Sequence, residues 1–473
     1  MKNSKKTADL IKTAIIALLF IMTLSLVFCH FIALRQENEN AAASENLNLN
    51  LKNFEGSEKN GIKKSDLLPA TIAVKKEAGS ISALSHGSGY IKEVYSLLDT
   101  NIEFMLSSSC NSLTDEDPEA FDKALSRNKY IYIKYHKPIP AVLAYIHAKN
   151  SGDEDISETI GAKTGQLCIS ELLIFPDSIE NNSLFAMAKA AEGETVSFRV
   201  AVMPDTKLIK TSDFDIYREA DIMTDAAFFG RKNNSSVAPS TLIYNSSQSN
   251  YKLEFKRGAA GLSLNTQLQS ELAKSLGINP DKTGSYFDQV IKGTVFMATH
   301  GTLTVCDNSI IYSTSANIGG GIELSIFSGK SQEHDHSLSQ CLAIAESLAE
   351  NLKIIDGSSI LGGEAEILIT NLHRNDDSIV LEYGYFYENI PIANYTTALR
   401  IEMSSKKLTR LELFPCSATS NKADKQKSIP PGWVLNIMQN NPDVNGLCTL
   451  VYKYKETESG IFEAEWIPSK IKS

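Results

Sequence analysis

Residues Thr13 to Leu34 read TAIIALLFIMTLSLVFCHFIAL, twenty-two positions without one Asp, Glu, Lys or Arg. At 1.5 Å per residue a helix of this length spans about 33 Å, enough for the roughly 30 Å hydrocarbon layer of a bilayer. Lys2, Lys5, Lys6 and Lys12 precede it against Asp9 alone, and Arg35, Glu37 and Glu39 follow. Lysine excess on one side places residues 1–12 in the cytoplasm as a short tail and everything from Arg35 onward outside. We therefore expect a single-pass cell-membrane protein with a large extracytoplasmic C-terminal part. A cleaved signal peptide fits less well, because its apolar region runs about 7–15 residues. The small-residue run Ala41-Ala42-Ala43 is also separated from the apolar stretch by Arg35 to Asn40. A lipoprotein signal needs a small residue before its cysteine, and Cys29 follows Phe28.

Charge narrows the partners. Four lysines against one aspartate give the first 34 residues a net +3, so the −10 of the whole chain leaves −13 for the remainder. Such an exterior is a poor electrostatic match for nucleic acid or an anionic lipid surface. Cys110, Cys168, Cys306, Cys341, Cys416 and Cys448 are scattered with no CxxC spacing, which indicates neither a zinc site nor a compact disulfide framework. They read mostly as buried small hydrophobes in a 473-residue chain whose 42% apolar content is ample for a core.

Residues 35–66, rich in Asn, Glu, Lys and Ala and without a sustained period, read as a linker. Beyond it, an α+β pattern begins. Leu67 to Val74 (LLPATIAV) reads as a strand, and Ile91, Val94, Leu98, Ile102 and Met105 recur on one helical face. A helix is expected over Pro118 to Arg127, a strand over Tyr130 to Tyr135 ending at Pro138 and Pro140, and further strands at Cys168–Phe175, Leu184–Lys189, Thr195–Val202 and Tyr251–Phe255.

Two helix-plus-meander segments follow. Asn265 caps a helix carrying Leu268, Leu272 and Leu276, stopped by Gly277 with Pro280 beyond; Val295–Thr299, Thr302–Cys306 and Ile310–Thr314 come next as strands. Ser337 and Gln340 form a capping box for a helix bearing Leu338, Cys341, Leu342, Ala345, Leu348 and Leu352, followed by strands Ile379–Tyr387, Ala398–Met403 and Leu408–Phe414. The last segment holds Trp433, the strand Leu450–Tyr454, and Trp466. The organisation expected is a larger N-terminal domain over 67–255 and two smaller helix-on-sheet domains over 256–335 and 336–473.

Candidate chemistry is sparse. Glu333-His334-Asp335-His336 clusters metal-ligand side chains, but directly before a helix start, where polar caps belong. Lys163-Thr164-Gly165 and Lys282-Thr283-Gly284 both spell the KTG of penicillin-recognising enzymes. Ser126 with Lys129, Ser249 with Lys252, Ser404 with Lys407 and Ser469 with Lys472 have the spacing of a nucleophile and its base, and four such pairs in one chain mark chance. Gly319-Gly320-Gly321 lacks the Lys-Ser/Thr of a phosphate loop and reads as a bend. His86, His136, His147, His300, His334, His336 and His373 lie in no GxSxG context. We expect no catalytic residues, no metal and no cofactor.

Several segments together resemble the YycH family, membrane-anchored accessory regulators of an essential cell-envelope histidine kinase in Gram-positive bacteria, in a two-component system of the WalK/WalR type. They are the basic tail with its single anchor, LLPATIAV, YIYIKYHKPIP (Tyr130–Pro140) and GTLTVCDNSIIYST (Gly301–Thr314). LEYGYFYENIPI (Leu381–Ile392) and LVYKYK (Leu450–Lys455), with Trp433 and Trp466, resemble the related domains shared with YycI. The resemblance implies a non-enzymatic regulator that associates with a membrane sensor histidine kinase and a YycI-like membrane-anchored partner, with an effect on cell-wall homeostasis. Small residues allow close helix approach, and Ala14, Ala17, Ser25 and Cys29 lie roughly along one side of the span, as a candidate partner-helix contact. The alternative is an extracytoplasmic protein that captures a ligand or cell-wall fragment, with Tyr383, Tyr385, Phe386 and Tyr387 lining its groove.

Overall fold

The computed structural model describes most residues from 67 to 470. Residues 1–66, 150–166, 176–182, 202–207, 215–223, 229–241, 329–334, 428–447 and 471–473, with several shorter stretches, lie outside the described residues. The expected span 13–34, its Ala14, Ala17, Ser25 and Cys29, and the linker 35–66 are therefore among those not described. No described helix is long and apolar enough to cross a membrane. All described residues belong to one compact unit spanning 53–473, a mixed α+β structure.

The N-terminal part is built on one antiparallel sheet. In chain order it comprises β1 (Pro69–Lys75), β2 (Ile81–Ser85), helices α1 (Ile91–Leu97) and α2 (Asp99–Leu106), β3 (Ser112–Glu116), α3 (Ala120–Ala124) and β4 (Tyr130–Pro140). Then come α4 (Ala141–Lys149), β5 (Cys168–Phe175), β6 (Ser183–Ala190), β7 (Thr195–Ala201), β8 (Thr224–Phe228) and β9 (Leu242–Tyr244). The nine strands run in the order β3-β7-β6-β5-β4-β1-β2-β8-β9. Its centre is covered on both faces: Ile72, Ala73 and Val74 of β1 and Tyr130, Ile131, Tyr132 and Ile133 of β4 are all fully buried. Ile91, Val94, Leu98, Ile102 and Met105 are buried as their spacing requires, although the helix is interrupted at Leu98. The strand expected to stop at Tyr135 continues through Pro138 and Pro140. Its pairing with β5 is broken between Lys134 and Ile139, and an irregularity of this kind tolerates residues that cannot donate to a ladder.

The C-terminal part starts with β10 (Ser249–Arg257), a 3-10 turn (Leu262–Leu264) and α5 (Thr266–Ser275). The Asn265 side chain accepts from the Leu268 amide at 3.0 Å, as an N-cap should. Gly277, at φ +72°, ends α5: its amide donates to Lys274 and that of Ile278 to Ala273, the paired bonds of a Schellman motif. The meander β11 (Gly284–Asp288), β12 (Gly293–Ala298), β13 (Gly301–Cys306) and β14 (Ile310–Thr314) follows, then β15 (Ile322–Glu323), α6 (Ser325–Ser328) and α7 (Leu338–Lys353). After α7 come the small hairpin β16 (Ile354–Ile355) and β17 (Ser358–Ser359), β18 (Leu361–Gly363), β19 (Glu366–Arg374), β20 (Ile379–Tyr387), β21 (Ile390–Pro391), β22 (Leu399–Met403) and β23 (Lys407–Leu413). The chain ends with β24 (Cys416–Lys427), β25 (Cys448–Glu458) and β26 (Ile461–Lys470).

Both meanders contribute to a single sheet. Its order is β11-β12-β13-β14-β23-β22-β20-β19, with β15 on β23 and β21 on β20, and the two halves join where Tyr312 of β14 faces Leu411 of β23. The strands near this seam alternate cleanly, Leu399, Ile401 and Met403 buried between half-exposed Arg400 and Glu402, so one face is core and the other wet. A five-stranded sheet in the order β18-β24-β10-β26-β25 completes the unit. It draws strands from residues 249 to 470 together, so no local repeat announces it. Cys306, Cys341 and Cys416 are buried, in keeping with their reading as small hydrophobes, while Cys168 is half-buried; burial pushes the Cys341 thiol up to about 12.

Candidate functional site

On one face of the nine-stranded sheet, the register sets Lys134 of β4 opposite Glu171 of β5 and Glu171 opposite Lys189 of β6. The Lys189 ammonium lies 4.0 Å from Asp122 of α3 and 5.9 Å from the Phe121 ring centroid. Burial holds the Lys134 pKa below its ordinary value, with Glu171 opposing and Lys189 reinforcing that shift. Further along the same face the Arg127 guanidinium sits 4.7 Å from the Phe175 ring and 4.9 Å from Phe185. A row of alternating charge set among apolar strands fixes register, because a one-residue slip would carry Lys134 to the opposite, helix-covered face.

That opposite face carries a second polar cluster. The Tyr95 and Tyr135 hydroxyls share a 2.9 Å hydrogen bond, and burial raises both phenol pKa values, so each stays neutral and either can donate. The His147 ring of α4 lies 5.0 Å from that of Tyr95, with Nδ1 3.7 Å from the Asp99 carboxylate at the start of α2. Buried Asn101 braces the chain beyond β7: it accepts from the Ile209 amide at 3.0 Å and donates to its carbonyl at 3.3 Å. Helices α1, α2 and α4 are thereby tied to β4. Sequence reasoning missed these partners because AVLAYIHAK is buried at nearly every position and so shows no amphipathic period.

The motifs nominated from sequence occupy structural positions. Asp335 pairs with Lys406 at 3.2 Å, and the His336 Nδ1 lies 3.1 Å from the Ser405 carbonyl, which locks the chain before α7 onto the β22–β23 turn; Glu333 and His334 are not described. Among the described residues no group of three His, Cys, Asp or Glu is arranged to hold a metal ion. Lys282 and Thr283 form the turn after α5, Thr283 donating to the Asn279 carbonyl at 2.6 Å, and Gly284 opens β11. Ser249 and Lys252 lie three apart in the extended β10, where no helical turn brings them together. Ser404 and Lys407 close the β22–β23 turn, with the Lys407 amide donating to the Ser404 hydroxyl at 3.0 Å. Gly321, at φ +136°, is the bend expected between β14 and β15, its amide donating to the His300 carbonyl. The His300 ring packs on Tyr312, His373 meets Asn371, and Lys163-Thr164-Gly165 and His86 are not described.

The aromatic strand β20 has a different role from lining a groove. Tyr383, Tyr385, Phe386 and Tyr387 are all buried. Tyr385 meets Phe255 of β10 at 5.6 Å between ring centroids and donates its hydroxyl to the Phe414 carbonyl; Tyr387 meets Tyr454 of β25 at 5.9 Å. Phe386, pointing the other way, meets His136 of β4 at 5.5 Å. The nine-stranded and five-stranded sheets therefore each touch the ten-stranded sheet at β20, and Tyr385 and Tyr387 are consumed in packing against the five-stranded one.

No protein-family model matches the chain, and no curated protein matches it. Among solved structures it is similar to YycH from Bacillus subtilis, at 12% identity and a TM-score of 0.49, over 87% of this chain and 96% of that one. A second similarity, at 14% identity and a TM-score of 0.29, is to an uncharacterized protein from Eubacterium rectale, over 47% of this chain and 75% of that one.

Proposed function

We propose that the chain is a membrane-anchored extracytoplasmic regulator of a sensor histidine kinase, acting through protein contacts and not by catalysis. The observation that carries this reading is the meeting at β20. Of the segments on which the resemblance rests, Leu381–Ile392 contacts two others there: Tyr130–Pro140 through Phe386 and His136, and Leu450–Lys455 through Tyr387 and Tyr454. Part of what resembles the family thus lies where the sheets are joined into one body, as a protein that transmits contacts needs.

The partners are the kinase and a YycI-like membrane-anchored protein, with the bilayer engaged through residues 13–34 and nucleic acid disfavoured by the −13 exterior. Regulation is differential binding: contacts made better in one kinase state shift the population toward it, by the roughly 1–3 kcal/mol typical of such couplings. Ala14, Ala17, Ser25 and Cys29 supply the close-packing side of the membrane helix. Ala17→Leu and Ser25→Leu should each reduce recovery of the kinase in detergent co-purification by roughly tenfold, the equivalent of about 1.4 kcal/mol of lost packing. Undiminished recovery with both variants would discard this face.

A further inference from the structure

Most of the large apolar side chains exposed among the described residues gather in one place. Tyr286, Phe287, Val290, Ile291 and Met297 belong to the β11–β12 hairpin, and Leu264 to the 3-10 turn packed beside β12 and β13; Tyr90 and Phe414 are the others. Strand β11 forms one edge of the ten-stranded sheet, pairing with β12 on its inner side, and its first four residues are all exposed. The register sets Tyr286 opposite Val295 and Phe287 opposite Thr294, so Tyr286 and Met297 project from one face and Phe287 from the other. Val290, 91% exposed, and Ile291 occupy the turn.

We propose that the tip of this hairpin inserts shallowly into the bilayer, as a second membrane contact beside the N-terminal helix; the proposal rests on the reading of residues 13–34 as a membrane span. Three observations favour lipid over a protein partner. Apolar side chains stand on both faces and at the tip, whereas a docked protein covers one face or adds along the edge and leaves Val290 in water. The turn amides at the tip are satisfied from within, since the Asp288 carboxylate accepts from Val290 at 2.8 Å and from Ile291 at 3.3 Å. An unsatisfied amide in an apolar medium costs several kcal/mol, and β11 is paired on its inner side only, so insertion stops at the turn and the strand edge stays at headgroup depth, where water reaches its amides. Lys292 closes the tip turn beside Ile291, with a stem long enough to return its ammonium group to headgroup level, and Tyr286 on β11 has the amphipathic ring that interfaces favour.

Reach is no obstacle. The thirty-two residues 35–66 between the apolar stretch and the first described residue, Leu67, span at most about 110 Å when extended. With Asp288 and Lys292 as its charges the hairpin is neutral, so apolar area drives the partition and zwitterionic lipid serves as well as any.

The test places the photocrosslinking residue benzoylphenylalanine at Val290 in the full chain, with the same probe at Phe20 as a reporter of the N-terminal span and at exposed Lys256 as a water-facing control. Each protein is irradiated in phosphatidylcholine vesicles and in intact cells. Exposure of Val290 means that the probe has no packing to disturb. The expected result is a lipid adduct at 290 at a yield roughly tenfold above that at 256, the ratio set by about 1.4 kcal/mol of apolar burial. A lipid adduct at 20 with none at 290, or a protein adduct at 290 in cells, overturns the proposal and leaves the N-terminal span standing. A lipid adduct at 290 without one at 20 supports the hairpin and removes the span; no adduct at either removes both.

Discussion

The nine-stranded and ten-stranded sheets solve the same burial problem in opposite ways. The first is buried on both faces at its centre, so β4 buries four consecutive residues from Tyr130 to Ile133, and the polar groups Lys134, Glu171, Tyr95, Tyr135 and His147 are enclosed with partners. The second has one wet face, where Arg400, Glu402, Arg410 and Glu412 form a charged ladder opposite a core of Leu399, Ile401, Leu411 and Leu413. Enclosed polarity specifies register in the first; alternation specifies it in the second. Strand β20 belongs to the wet-faced sheet yet is buried along most of its length, because it is where the first sheet packs.

The sharpest way to break this contrast is an alanine scan of one strand from each sheet. In β4, Ile131, Tyr132 and Ile133 should each cost about 2–5 kcal/mol, with no odd-even rhythm. In β22, Ile401 and Met403 should cost as much, while Arg400 and Glu402 stay within about 1 kcal/mol. Urea midpoints measure this, and a two-residue rhythm in β4 would contradict double-sided burial.

A smaller effect tests how tightly the wet-faced sheet closes at its exposed hairpin. A Cβ on Gly293 would lie 2.4 Å from the Cys306 sulfur and 2.7 Å from the Val305 carbonyl. Gly293→Ala should destabilise by about 1–3 kcal/mol despite the exposure of the neighbouring turn. An unchanged denaturation midpoint would show that this base can relax.

The smallest effect is a pH dependence placed in the same sheet. Burial, reinforced by Lys407, holds the His300 pKa below 6.5 in the folded state. A depressed folded value means that the unfolded chain binds the proton more readily, so the stabilisation is fully present above about pH 6.5 and is lost as pH falls through the folded value. His300→Gln should flatten that part of the stability profile, read by denaturation at pH 7.5 and pH 5.5. An unaltered slope would assign the loss to other groups.

The same contrast explains what could be read from sequence. Strands of the wet-faced sheet such as Ile310–Thr314 alternate, and α5 carries its Asn265 cap and Gly277 stop, so their limits were legible. Helix α4 was not, because burial on all sides erases its period. Nor were β11, which is exposed along its length, or β24, whose CSATSNKADKQK gains its place in the five-stranded sheet only from partners as distant as β10. The helix expected over Pro118 to Arg127 shrank to Ala120–Ala124. Of the site, the β20 aromatics stood out by composition, but their packing on Phe255, His136 and Tyr454 did not, since those contacts cross more than sixty residues of chain. Ala14, Ala17, Ser25 and Cys29 remain a reading of the sequence, outside the described residues.

Regulation of a kinase by contact, as proposed above, requires the N-terminal helix. Crosslinking in intact cells, followed by pulldown of the full-length protein and of a version lacking Met1 to Leu34, tests it most directly. The expected result is recovery of a sensor histidine kinase with the full-length protein alone. Recovery of no kinase with either form would contradict the claim and move capture of a ligand or cell-wall fragment to the front.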